Sequence, residues 1–400
     1  MVPLSLSSLR SVLAWAVEQG VSIPGQLSGE QLAALHRVFS GHEPWSIEHY
    51  PVLRAFAFAL PRLNEAVLPA QLSFGDLLQA LDELQSATLA AWPTHVSVSE
   101  STFGDLGYAS TSAAITRLRD ANAAGWREHG VNSRQLLMQG AERAVGPRAV
   151  VIGAGKLYDI PLRKLAERFE QLLLVDIDAA AMAESVKQVG LEPKLLARLS
   201  LRQADVTGIN DVFLEKARAA LALAGEDEVC AALLDLLCGF RVDEPPALFP
   251  NHAGEGPLDF ACSSMVLSQL ATPLTRYVEE QFAARFPSSR RTQAPEFQVA
   301  LGLFTHRVQY AHVRSLLSAA PCIALTSDIS HRYTSLDPRG TVHASAWLPL
   351  IGGPSLDALV PRQQARSAFS VGWEWRDVVP TRSKARGHTL QVAGVVAERS

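Results

Sequence analysis

Cysteine is scarce in this 400-residue chain, and the four present, Cys230, Cys238, Cys262 and Cys322, form no CxxC pair and have no histidine-rich neighbourhood. Their spacing signals neither a zinc site nor a disulfide framework, so the expectation is no metal and a reducing, cytoplasmic setting. Charge of one sign is lacking too: 36 Lys and Arg stand against 40 Asp and Glu, a formal net charge of -4 with a pI near 6.3. Nothing global therefore attracts nucleic acid or an anionic membrane. No apolar run approaches the roughly 20 residues needed to span a bilayer. The first twenty residues lack the early positive charge of a secretion signal, and Leu6, Leu9, Leu13, Ala16 and Val17 read instead as an amphipathic helix. Repeats and low-complexity tracts are absent as well. What remains is a soluble, globular chain with 48% hydrophobic residues, enough for a sizeable core, whose expected partner is a small molecule. Its oligomeric state stays open, a homodimer included.

The richest segment is 148–178, RAVVIGAGKLYDIPLRKLAERFEQLLLVDID. Val150 to Ile152 has the continuous apolar character of a parallel strand buried on both faces, and Gly153-Ala154-Gly155 permits a tight turn with no Cβ in the way. Leu162, Leu165, Ala166 and Phe169 then recur at helical spacing, and Leu172 to Val175 forms a second strand. Asp176 stands at that strand's carboxyl end, with Ile177 after it. An acid about twenty residues past the first glycine can accept both hydroxyls of a ribose, so the unit is built for an adenosine-bearing ligand.

Organisation is uneven along the rest. Residues 1–146 show helical patterns only, with Leu32, Leu35 and Phe39 and then Leu77, Leu78, Leu81 and Leu84 between prolines, and predict a helical N-terminal or cap domain. From 147 to 400 strands alternate with helices, the signature of an α/β domain with a parallel sheet. Further strands are expected at 200–204, 259–265 and 322–326, and helices near 212–223, 231–237, 275–286 and 299–317. Residues 368–379 and 389–396 are strand-like with no long helix between, hence an antiparallel hairpin. The 225–257 stretch is long for a connection and suits a lid or binding element.

A dinucleotide fingerprint needs a third glycine where this chain has Tyr158, which counts against NAD or FAD. The glycine turn, the acid-tipped LVDID strand, a third strand running into LRQADV, SSMVLSQL after strand 4 and the terminal hairpin resemble the class I S-adenosylmethionine (SAM) methyltransferase family over about residues 146–400. Within it they resemble a small-molecule branch that includes azetidine-2-carboxylate synthases. The resemblance implies a Rossmann-like sheet and SAM as cofactor or substrate. It implies Gly153, Ala154 and Gly155 at the methionine end, Asp176 and Ile177 at the ribose, and Asp205 with Val206 at the adenine. Ser263, Ser264 and Gln269 would floor the reaction pocket. Where most of that family carries an acid, two residues before the first glycine, this chain has Val151, so Asp159 is the nearest acid to grip the amino acid end. Asp159 also reads as an N-cap of the following helix, with Pro161 in its first turn.

Transfer from a sulfonium asks mainly for in-line placement, with a base only if the acceptor must lose a proton. Asp328 and His331 are candidate bases just past strand 5, and both also read as loop residues capping a turn. Tyr108, Tyr158 and Tyr333 are candidates to face the sulfonium. Gly107-Tyr108-Ala109-Ser110-Thr111 reads as part of a cap, or Ser110 or Thr111 as a plain N-cap. His306 and His312, six apart, do not share a helix face as a metal pair would. Three functions fit these residues: methyl transfer to a small molecule, favoured; closure of SAM to azetidine-2-carboxylate with release of methylthioadenosine; and non-catalytic nucleoside binding.

Overall fold

The computed structural model describes residues 29–39, 98–242, 258–337, 341–349, 365–381 and 386–399. The helices expected at 6–17 and 77–84 and the later part of the 225–257 connection lie outside the described residues. In chain order come α1 (Gly29–Phe39), α2 (Glu100–Asp105), α3 (Tyr108–Ala121), α4 (Ala123–Arg143), β1 (Arg148–Ile152), α5 (Leu162–Arg168), β2 (Gln171–Asp176), α6 (Ala179–Val189), α7 (Pro193–Leu196) and β3 (Leu199–Gln203). They are followed by α8 (Asn210–Leu221), α9 (Glu226–Gly239), β4 (Phe260–Ser264), α10 (Thr272–Arg285), α11 (Pro295–Ala319), β5 (Cys322–Leu336), β6 (Val342–Ala344), β7 (Leu348–Pro349), β8 (Ala365–Val378) and β9 (Arg386–Arg399).

One sheet runs in the order β3-β2-β1-β4-β5-β9-β8, with β6 and β7 paired to β5. Strands β1 to β5 are mutually parallel and β9 is antiparallel to both β5 and β8, as the alternation of strands and helices with a closing hairpin predicts. Val150, Val151 and Ile152 are wholly buried, which is why β1 reads as an unbroken apolar run. The chain steps outward from β1 through β2 to β3, then returns to place β4 on the other side of β1. Such a reversal opens a crevice outside the carboxyl ends of the strands, where open α/β sheets take their ligands.

Strand β5 departs from expectation. Its ladder does not stop at Thr326 but continues to Leu336, because β9 offers a partner along nearly the whole length and the backbone groups stay paired. Asp328 and His331 are therefore strand residues, not turn caps. A bulge between Asp328 and Ser330 shifts the register there.

The described residues fall into two compact units. The sheet belongs to one, together with 98–211, 258–273 and 308 onward. Helix α4 runs along β4, β5, β9 and β8 within it. Gly140 of α4 allows this approach, since a Cβ there would stand 2.8 Å from the Phe260 ring. Phe260 in turn stacks on Phe169 with centroids 5.7 Å apart, both fully buried, a pair whose truncation to Ala costs about 3–5 kcal/mol per residue. The other unit, with 212–242 and 274–307, is centred on the rings of Phe213, Phe240 and Phe304, and the Arg307 guanidinium donates to the Cys238 carbonyl at 2.7 Å.

Candidate active site

At the end of β1 the chain turns back on itself. Gly153 takes φ +75°, and its N–H and that of Ala154 donate to the Val175 carbonyl at 3.0 and 3.2 Å. A Cβ on Gly153 would stand 1.9 Å from Val266 Cγ2, so geometry and space both demand glycine. The Gly155 N–H donates to Asp176 Oδ2 and the Asp178 N–H to Asp176 Oδ1, each at 2.8 Å. The β2 carboxylate is thus held in one plane at the mouth of the crevice. Burial nevertheless pushes its pKa from 3.8 up to about 6, against the lowering effect of those two N–H groups. Two donors do not replace the water it has lost, and a ligand bringing further hydroxyl donors would complete its shell. At Gly155 a Cβ would stand 3.2 Å from Asp176 Oδ2, so the missing side chain keeps that shell open.

Helix α3 crosses the loops that follow the first three strands. Tyr108 Oη accepts from Asn210 Nδ2 at 2.8 Å beyond β3, Ser112 Oγ donates to Asp178 Oδ2 at 2.6 Å beyond β2, and Tyr158 Oη bonds Thr116 Oγ1 at 3.2 Å beyond β1. These three positions are four apart and so lie on one helix face. No residue of α3 is fully buried, so side-chain hydroxyls tie it at all three loops. Gly107, at φ +67°, caps the helix; Ser110 and Thr111 are inside the first turn and donate to the Gly107 carbonyl, which corrects the N-cap reading of either.

Asp205 is buried and already committed. Its Oδ1 accepts from the Thr207 N–H and hydroxyl at 2.9 and 2.6 Å, and its Oδ2 from the Asn210 N–H at 2.9 Å at the start of α8. Burial raises its pKa despite these donors. Burial, chiefly, also raises that of Tyr108, with the Asp205 charge adding to it. Val206 beside it is buried.

Beyond β4, Met265 adopts φ +56°, a costly conformation for a long side chain, and its N–H donates to both the carbonyl and the hydroxyl of Thr326 at 3.0 and 3.1 Å. Ser264 Oγ bonds Thr326 Oγ1 at 3.1 Å, so the ends of β4 and β5 are stitched together. Asp328 is buried against the Ser268 hydroxyl, and burial raises its pKa. Gln269 turns its amide to Ser268 Oγ at 3.1 Å. Ser263 faces the opposite way, bonding His312 Nε2 of α11 at 3.0 Å; full burial lowers the His312 pKa to about 4, keeping this pair neutral and structural. Ser263 and Ser264, adjacent in sequence, point to opposite faces of β4 as the pleat requires.

The largest surprise is an aromatic wall. Trp126 of α4, Trp375, Leu390 and Val392 form a cluster against which Tyr158, Met265 and Trp373 pack. His129 stacks on Trp375 at 4.0 Å, receives the Trp373 indole N–H on Nδ1 at 3.1 Å, and so carries its own proton on Nε2, 3.4 Å from Asp159 Oδ1. Asp159 is therefore not the cap of α5, whose cap position is Pro161 with no side-chain bond; its carboxylate faces a buried histidine instead. The Arg119 guanidinium lies 4.1 Å over the Tyr158 ring, and Arg134 donates to the Tyr158 carbonyl at 2.7 Å. Tyr333 is more than half exposed, beside His331 and His388. Sequence reasoning did not single out Trp126, His129, Trp373, Trp375, Ser112 or Thr116, and the signals for them were weak: Trp373-x-Trp375 shares one strand face, and Ser112 and Thr116 share a helix face with Tyr108.

No protein-family model and no curated protein matches the chain. Among solved structures it is similar to the N-methyltransferase NodS from Bradyrhizobium japonicum WM9, at 10% identity and a TM-score of 0.32 over 69% of this chain and 97% of that one. It is similar also to magnesium protoporphyrin IX methyltransferase (ChlM) from Synechocystis PCC 6803 with bound SAM, at 13% identity and a TM-score of 0.30 over 83% of this chain and all of that one. A third is the glycopeptide N-methyltransferase MtfA complexed with SAM, at 9% identity and a TM-score of 0.28, over 65% and 92%.

Proposed function

We propose that the carboxyl edge of this sheet binds S-adenosylmethionine and transfers its methyl group to a small molecule. One observation carries the reading: a carboxylate at the end of β2, pinned by Gly155 and Asp178, remains short of hydrogen-bond donors, and a ribose diol supplies two. Gly153 to Gly155 would meet the methionine end and Ile177 would flank the ribose. With the Asp205 oxygens spent on Thr207 and Asn210, the adenine would lie along Val206. Residues before 147 supply the cap: α3, with Tyr108, closes over the nucleoside and opens by breaking its hydroxyl ties.

The donor is already activated, so the protein's part is placement and exclusion of water. Tyr158 and Met265 lie against the aromatic wall, and the wall's ring faces suit a sulfonium. Ser264 and Asp328 border the space an acceptor would enter. A second reading, attack on the aminopropyl carbon to give azetidine-2-carboxylate and methylthioadenosine, is favoured by one detail: Asp159 is shared with His129, so it would hold the donor's ammonium weakly and ease its deprotonation. Incubating the protein with SAM alone and with a small-molecule extract separates the two. S-adenosylhomocysteine that forms only with extract supports methyl transfer, and methylthioadenosine from SAM alone supports cyclisation. Failure to bind SAM in calorimetry would sink both.

A further inference from the structure

The bulge in β5 has a geometric effect on which side chains face the crevice. Without it, Ser330 and Arg332 would share a face with Asp328; with it, His331 and Tyr333 do, because Asp328 pairs with Val392, His331 with Leu390 and Tyr333 with His388. Those three β9 residues alternate along one face, the face whose Leu390 and Val392 pack with Trp126 and Trp375 and adjoin Tyr158 and Met265. His331 thus belongs to the wall of the candidate site.

On that face three groups form a chain. The Asp377 carboxylate, held at a second bulge between Trp375 and Val378, lies 2.9 Å from His388 Nδ1, with both oxygens in range. His388 Nε2 lies 2.9 Å from His331 Nδ1. A carboxylate only accepts, so His388 carries its proton on Nδ1, its Nε2 accepts, and His331 must donate from Nδ1. The remaining atom, His331 Nε2, is left with a lone pair. The three groups run in series and do not converge on a point as metal ligands would.

We infer that His331 is a general base, with His388 and Asp377 as positioning residues, and that the acceptor is a hydroxyl or ammonium compound that must give up a proton. This rests on the proposed SAM-dependent transfer. The acceptor's proton passes to His331 Nε2 as its oxygen or nitrogen bonds the donor's methyl carbon; the carbon–sulfur bond breaks with its electron pair going to sulfur, leaving a thioether. The imidazolium formed is stabilised through His388 by the Asp377 charge, and it returns the proton to water. A thiolate or carboxylate acceptor would need no such chain.

Burial, with the neighbouring His388, lowers the His331 pKa, while Asp377 opposes this, so the ring is neutral and able to accept at pH 7. The titratable groups facing it are His388 from β9, Asp377 from β8, and Tyr333 and Asp328 on β5; Arg332 points to the other face, where it pairs with Glu374 at 2.9 Å.

Nitrogen-15 NMR of the wild-type protein tests the chain without any substrate. The expected result is a neutral His331 protonated on Nδ1, with Nε2 titrating below the usual histidine range; a proton on Nε2 overturns the proposal. In turnover with SAM and panels of phenols, amines, thiols and carboxylates, His331→Gln should lower S-adenosylhomocysteine formation by about 10²–10⁴-fold, with SAM affinity in calorimetry unchanged. Asp377→Asn should give a smaller loss and move the acid limb of the pH profile. Equal rates for wild type and His331→Gln, or turnover confined to thiols and carboxylates, would refute the base. Absence of SAM binding to the wild type would instead refute the proposed function and leave the NMR result to judge the relay.

Discussion

Replacing Asp176 by Asn should make the protein more stable and a poorer binder at the same time. In the folded chain burial raises this carboxyl from 3.8 to about 6. A group whose folded pKa lies above its unfolded one contributes stability that is full below about 4 and lost as pH rises through about 6. At pH 7.5 the charged, buried carboxylate therefore costs about 3 kcal/mol relative to its protonated form. Asn removes that charge but offers one acceptor oxygen where Gly155 and Asp178 present two N–H donors, which costs about 1–2 kcal/mol. The net expectation is a gain of about 1–2 kcal/mol at pH 7.5 that turns into a loss of about 1–2 kcal/mol near pH 4, where the wild-type group is itself neutral and only the missing acceptor counts. Urea unfolding at the two pH values measures it. SAM binding by calorimetry should weaken by about 1–3 kcal/mol, with the loss of two charge-assisted bonds to the ribose. In the wild type, affinity should fall about tenfold per pH unit below pH 6, since only the carboxylate accepts both hydroxyls. A variant that is less stable at pH 7.5, or a gain that persists at pH 4, would show that the carboxylate is better solvated than its burial implies.

Gly153→Ala places a methyl 1.9 Å from Val266 Cγ2 at φ +75°, so unfolding free energy should fall by at least about 2 kcal/mol, readable by urea titration. Ser112→Ala and Tyr158→Phe each untie one point of α3; each should raise the SAM dissociation rate several-fold in stopped flow, by about 1 kcal/mol, while leaving the urea midpoint nearly unchanged. Unchanged dissociation would remove α3 from the role of cap. Trp373→Phe deletes the donor to His129 Nδ1, so the imidazole should lose its fixed tautomer in NMR, at a cost of about 1 kcal/mol in stability.

Periodicity alone located β1 to β4, the start of β5, the closing hairpin and the helices α5 and α8 to α11, though not α6 and α7 between β2 and β3, because burial on both faces leaves unbroken apolar runs and burial on one leaves a repeat. The glycine turn and the position of Asp176 at the end of β2 were legible for a related reason: both depend on backbone geometry and on neighbours within thirty residues. Asp159 and Ser110 were misread as caps because capping is a local rule, and in both cases another arrangement prevailed. Asp159 found a histidine thirty residues earlier, and Gly107 took the cap position that Ser110 was expected to fill. The extension of β5, its bulge, and the joining of Asp377, His388 and His331 were beyond local reading, since each depends on register between strands far apart in sequence. By itself, then, the sequence determined a parallel sheet with an acid at the carboxyl end of its second strand and the absence of a dinucleotide fingerprint. Only the tertiary structure decided which side chains wall the crevice, because a one-residue shift in strand register exchanges every side chain between the two faces of a sheet.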